Sequence, residues 1–194
     1  RSFDINKPGA DLESLKGATL GGSLVRGRLR VGDELTVLPG VKNPDGSYSP
    51  LLARVVSMVL DEPVEEAVPG GLLAISTDLD PSYSKADRLV GQVVFKRGLE
   101  EKPVSSARLS LKLFENVLGT KEAMKVLPIS PSEDILVEAG PSLVLANMKQ
   151  AKGGYEVSFR RPVVLEQGET VAISRRFKNR WRLSGYGTVE HLGH

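Results

Sequence analysis

An all-β fold of two consecutive barrels is predicted for this chain by three observations. Its apolar residues recur in short alternating or β-branched runs, its 20 Gly and 12 Pro fall mostly between those runs, and no stretch sustains a 3.6-residue period. The runs are Arg54 to Val59, Gly71 to Ser76, Leu89 to Phe95, Arg108 to Leu113, Tyr155 to Phe159 and Thr170 to Ser174. Glycine and proline between them supply the positive or fixed φ that turns require. Many short strands without helices between them leave exposed edges unless the sheets close, so barrels are the economical architecture. Only Glu115 to Val126 hints at a short helix, and Gly119 weakens it.

The seam between the two units is expected at Lys96 to Pro103. There the pattern breaks into Lys96, Arg97 and Gly98, then Glu100, Glu101, Lys102 and Pro103, before a new strand begins near Ser106. The expected domains are therefore 1–98 and 99–194. Inside the first, Lys16 to Leu35 reads as a barrel hairpin. Leu24-Val25 is expected in a strand, Gly27 at a turn or bulge, Leu29 and Val31 alternating with Arg28 and Arg30, and Gly32-Asp33 in a tight turn before Glu34 to Leu38. Two further segments, Asp4 to Ser14 and Pro39 to Pro50, are turn-rich and too long for tight hairpins. Each is open to two readings, a solvated connection or a partner contact.

Composition narrows the function. The apolar share is 40% of 194 residues, no apolar run reaches membrane-spanning length, and no basic leader precedes a hydrophobic stretch, so the chain reads as soluble and cytoplasmic with no membrane partner. With zero Cys, and His191 and His194 as the two histidines, protein-bound metal is not expected. Net charge is +2, too balanced to announce nucleic-acid binding. A local cluster is more suggestive: Arg175, Arg176, Lys178, Arg180 and Arg182 interleave with Phe177 and Trp181. That mixture suits phosphate contact and base stacking, and equally a polar strand-turn-strand face with an aromatic anchor.

No G-x-x-x-x-G-K-[S/T] loop, G-x-S-x-G elbow or H-E-x-x-H motif is present, so no catalytic residues can be nominated. Asn6-Lys7-Pro8-Gly9 begins like a guanine-reading N-K-x-D motif but carries Gly where the acid is needed, and reads as a turn. The acidic pairs Asp61-Glu62 and Glu65-Glu66 read as solvated charge.

Arg1-Ser2-Phe3, followed after a spacer by G-x-x-x-G-x-x-x-V-x-G-x-L-x-V-G-D-E-L up to Leu35, resembles the opening of the first barrel after the GTPase domain in elongation factor Tu and its relatives. Further stretches narrow the resemblance. They are R-S-F-D-I-N-K-P-G (Arg1 to Gly9), P-G-G-L-L-A-I-S-T-D-L-D (Pro69 to Asp80), K-A-D-R-L-V-G (Lys85 to Gly91), R-R-P-V (Arg160 to Val163) and N-R-W-R-L-S-G-Y-G-T-V (Asn179 to Val189). Together they resemble the gamma subunit family of archaeal and eukaryotic initiation factor 2. The zero Cys count leans archaeal.

The resemblance implies two barrels of the elongation factor Tu domain 2 and domain 3 type. It covers nearly the whole chain, and the family's GTPase domain is not in this stretch. In that family the gamma subunit is the GTP-dependent core of a heterotrimer that carries methionylated initiator tRNA to the small ribosomal subunit. The expected partners are thus the alpha subunit, initiator tRNA, the chain's own GTPase domain and the small ribosomal subunit. GTP and magnesium would belong to the full-length protein, and no cofactor is expected here. The implied alpha-subunit residues are Asp4, Asn6, Lys7 and Asp11 with Val41, Lys42, Asn43, Asp45 and Tyr48. The implied acceptor-end residues are Arg26, Arg28, Leu29 and Arg30 with Gly70, Gly71 and Leu72. Alternatives are the barrels of a selenocysteine-specific or other Tu-like elongation factor, or a protein-binding double barrel outside translation.

Overall fold

The computed structural model describes residues 1–9, 11, 15–119, 124–131 and 133–193. They form fifteen strands and two 3-10 turns. The chain divides into two compact units, Arg1–Glu100 and Glu101–His194.

Nine strands make the first unit: β1 (Ser2–Phe3), β2 (Thr19–Gly22), β3 (Leu29–Arg30), β4 (Glu34–Lys42), β5 (Tyr48–Val59), β6 (Pro63–Val64), β7 (Glu66–Ala67), β8 (Leu73–Thr77) and β9 (Val93–Lys96). Among the described residues the ladder runs β1-β2-β8-β5-β4-β9, with β6 on β5 and a separate β3–β7 ribbon. This ladder does not close through backbone bonds. Side chains connect its two ends instead. Asp87, six residues before β9, accepts from the Ser2 amide at 2.6 Å, and Ser2 Oγ accepts from the Leu89 amide at 3.3 Å. Asp87 can reach back because it and Ala86 have φ of 55° and 53°, a left-handed pair that ends the second of the turns Pro81–Tyr83 and Lys85–Asp87.

Alternation explains the packing of β5. Leu51, Ala53 and Val55 point into the core and Leu52, Arg54 and Val56 point out, until a register shift between Val55 and Ser57 changes phase and buries Met58. These residues pack with Ala18, Leu20, Leu35, Val37, Leu73, Leu79 and Leu89.

The second unit comprises β10 (Val104–Leu113), β11 (Asp134–Ala139), β12 (Ser142–Ala151), β13 (Gly154–Val163), β14 (Thr170–Phe177) and β15 (Arg180–Gly193). They close into a barrel in the order β10-β13-β12-β11-β14-β15, antiparallel throughout. Its interior holds Leu109, Ile135, Val137, Ala146, Met148, Val157, Val171 and Ile173. Gly187 on β15 is part of this fit, since a Cβ there would come within 2.9 Å of Leu109 Cδ1.

Four expectations differ from what is observed. Leu24-Val25 lies outside any strand, because β2 ends at Gly22 and the chain reaches β3 through an irregular stretch bent at Arg26-Gly27. Leu89 to Phe95 is strand only from Val93, because Lys85 to Gly91 is given over to the turns that deliver Asp87. Pro39 to Pro50 is not a long connection. β4 continues to Lys42 and β5 starts at Tyr48, with Val41 opposite Ser49 and Lys42 opposite Tyr48, so proline and glycine here mark an irregular register inside a hairpin. Of Glu115 to Val126, residues 120–123 lie outside the described residues; on either side the chain is non-helical and Asn116 bridges Lys125.

Candidate functional site

The β4–β5 hairpin ends in a five-residue turn, Asn43–Ser47, that holds itself in shape. The Asn43 amide donates to Ser47 O at 2.8 Å and the Gly46 amide to Asn43 O at 3.0 Å. The Asn43 side-chain amide donates to the hydroxyls of Ser47 and Ser49, both at 2.8 Å. Asp45 accepts from the Ser47 hydroxyl at 2.6 Å and amide at 2.9 Å, and these bonds hold its carboxyl below the usual range. The turn is thus an exposed, preformed knob flanked by Val41, Lys42 and Tyr48.

Asn6 has a structural task. Its side-chain amide donates to Lys16 O and its Oδ1 accepts from the Lys16 amide, both at 2.7 Å, which ties the base of the connection between β1 and β2. Asp4 supports it, accepting from the Asn6 backbone amide at 3.0 Å and side-chain amide at 2.9 Å. Lys7 and Asp11 are exposed, whereas Ala10 and 12–14 lie outside the described residues.

Of the two segments of the expected acceptor-end site, the first lies in the β3–β7 ribbon and the second follows β7 in the chain. Leu29 is paired with Ala67 and Arg30 with Glu66. Glu66 receives Arg30 Nε at 2.6 Å and Arg28 Nη1 at 2.8 Å. The hydrogen bond from Arg30 is the first cause that lowers the Glu66 carboxyl and raises the Arg30 guanidinium from their ordinary values, with the charge of Arg28 adding to the effect on Glu66. Three residues beyond Ala67 the chain enters Gly70-Gly71 with φ of 134° and 66°, and Gly70 has no atom within 4 Å of where a Cβ would stand. That conformation suits glycine and leaves the backbone open to a ligand.

Leu72 follows, 80% exposed, whereas Leu29 is only 5% exposed and sits in the core. An apolar cover at this surface therefore falls to Leu72 and not Leu29. Strand alternation made the two leucines look equivalent in sequence; burial separates them.

In the second unit the β14–β15 hairpin pairs Arg176 with Trp181 and Phe177 with Arg180. Arg175 departs from the basic cluster expected there. It is 7% exposed, bonded through Nε and Nη2 to the two carboxylate oxygens of Glu133 at 2.6 Å, and it donates to the carbonyls of Leu127 and Pro128. Its guanidinium carbon also lies 5.9 Å from the Phe177 ring centroid. Nothing in the local sequence signals this, because the partner is 42 residues away.

A family profile described as "Initiation factor eIF2 gamma, C terminal" matches residues 105–189. Curated proteins named translation initiation factor 2 subunit gamma match almost the whole chain. That of Archaeoglobus fulgidus is 45% identical over 97% of this chain, that of Aeropyrum pernix 44% over 98%, and that of Methanocaldococcus jannaschii 38% over 98%. The chain belongs to the initiation factor 2 gamma family. It spans about half the length of these relatives, namely 45%, 47% and 47% of each. A crystal structure of bacterial selenocysteine-specific elongation factor EF-Sec shares the fold, with a TM-score of 0.62 and 18% identity over 90% of this chain and 25% of that one.

Several stretches that carry the initiation factor 2 gamma resemblance have structural tasks here. Ser2 and Asp87 link the ladder ends, Thr77 Oγ1 donates to Ala18 O at 2.6 Å, and Asp78 accepts from the Arg54 amide at 2.7 Å. Asn6 is spent on Lys16, and no group of three or more His, Asp or Glu is placed to hold a metal among the described residues. No described helix is long and apolar enough to cross a membrane.

Proposed function

We propose that this chain is the binding half of a translation initiation factor gamma subunit. In the full heterotrimer it serves the delivery of methionylated initiator tRNA to the small ribosomal subunit. It binds and does not catalyse; GTP and magnesium belong to the part of the relatives' length that it does not span. The alpha subunit docks on the knob Asn43–Ser47 with Val41, Lys42 and Tyr48, alongside Asp4, Lys7 and Asp11, while Asn6 keeps that second segment in shape. The acceptor end of the aminoacyl-tRNA lies against Gly70, Gly71 and Leu72, with Arg26, Arg28 and Arg30 toward phosphate.

The observation that carries the tRNA reading is the Leu29–Ala67 pairing, which joins the arginine segment to the strand that leads, three residues on, into the open glycine backbone and the exposed Leu72. Glycines let a ribose approach, and a leucine can cover an adenine or a methionine side chain. Leu72→Asp in the complete gamma subunit with GTP tests it. The expected result is a loss of about tenfold or more in the preference for methionylated over deacylated initiator tRNA, the scale of one desolvated apolar contact replaced by a charge. An unchanged preference would move the pocket elsewhere.

A further inference from the structure

We propose that the tip of the β14–β15 hairpin is a binding site for an unpaired RNA strand, with Arg176, Lys178 and Arg180 holding phosphates and Trp181 stacking on a base. This site lies on the second unit and does not rest on the acceptor-end reading.

The density of unpaired charge sets the tip apart. Elsewhere in this unit Arg108 and Lys149 share Glu156, Arg160 faces Asp134 and Arg175 is held by Glu133, while Lys112, Lys152 and Arg161, which have no ion-pair partner among the described residues, are spread along different strands and turns. At the tip Arg176, Lys178 and Arg180 are all exposed, and none has an acidic partner among the described residues. Three unneutralised cations within five residues repel one another and favour an anion that spans them.

The tip is also built to hold its shape. Lys178 and Asn179 have φ of 46° and 64°, so the two-residue loop is of the primed type whose twist matches the flanking strands. Below it, the Glu133–Arg175 pair and the Arg175–Phe177 contact fix the base of the hairpin. Little ordering cost remains to be met on binding.

Trp181 decides the chemistry of the ligand. It is 39% exposed and lies directly across from Arg176, so an aromatic face and a guanidinium occupy the same side of the ribbon. Phosphate-only recognition has no use for an exposed indole, and a paired duplex offers no free base face. An unpaired strand supplies both phosphates and bases.

Trp181 is the single tryptophan in the sequence, so its fluorescence reports on this site alone. The 194-residue chain is titrated with an oligouridine of about ten nucleotides, a length matched to single-strand sites. Saturable quenching is expected, with log K falling against log salt at a slope of about −2, the value for three cations on a single strand. Combined Arg176→Gln, Lys178→Gln and Arg180→Gln substitutions should weaken binding at least tenfold with circular dichroism unchanged, while Lys152→Gln on the same unit leaves it as it was. Trp181→Phe, followed by anisotropy of labelled RNA, should retain most of the affinity, and Trp181→Ser should lose it. Absence of quenching at low salt, equal quenching by duplex RNA or by anionic phosphatidylglycerol vesicles, or indifference to the triple substitution would each overturn the proposal.

Discussion

At the residue scale, the most informative side chains are those whose partners are remote in sequence. Asp87 holds Ser2 and Arg1 from the left-handed pair it forms with Ala86. The Ser2 amide, the largest influence, and the charge of Arg1 hold its carboxyl below the ordinary value. A folded-state pKa below the unfolded one means the link stabilises the fold fully above the unfolded value of about 3.9, and that the gain is lost as pH falls through the folded value. Asp87→Asn keeps a residue that tolerates the left-handed backbone but removes the charge. Thermal melts of parent and variant should therefore separate at pH 7, with the variant melting lower, and converge as pH falls through the folded-state value. A gap that persists at pH 2 would mean that Asp87 acts through shape and not charge.

At the element scale, the hairpin β4–β5 carries the proposed alpha-subunit dock, and its register dictates how to test it. Lys42 and Tyr48 are still paired, so the knob can be removed only between them. Replacing Asn43–Ser47 with Asn-Gly gives a two-residue turn suited to that ladder. Alpha-subunit affinity should fall by about tenfold or more, as for loss of a central contact, with the far-ultraviolet dichroism and melting of the chain intact. Unchanged affinity in calorimetry would remove the knob from the interface.

The same hairpin shows what the sequence carries and what it hides. Alternation revealed β5, because each buried residue is followed by an exposed one until the shift at Val55. Pro39 and Gly40 suggested a loop, because turn residues inside a ladder read no differently from turn residues outside one. The arginines before β4 announced a basic segment, but Glu66, which neutralises two of them, comes from a strand pairing that no local pattern encodes. Leu29 and Leu72 looked alike for the same reason, since burial is a property of the whole sheet.

At the scale of the whole molecule, two compact units with separate cores, one of them a closed barrel, carry the exposed features proposed to bind partners. A folding unit of this kind can bind partners without carrying chemistry of its own. Its place in the initiation factor 2 gamma family makes the alpha subunit the partner against which the account is most exposed to refutation. The decisive measurement is isothermal titration of the 194-residue chain with the alpha subunit of an archaeal initiation factor 2, run beside the Asn43–Ser47 replacement. Saturable one-to-one binding by the parent chain, weakened in the replacement, is the predicted result; a parent chain that folds cooperatively yet gives no binding heat and no co-elution with the alpha subunit would contradict it.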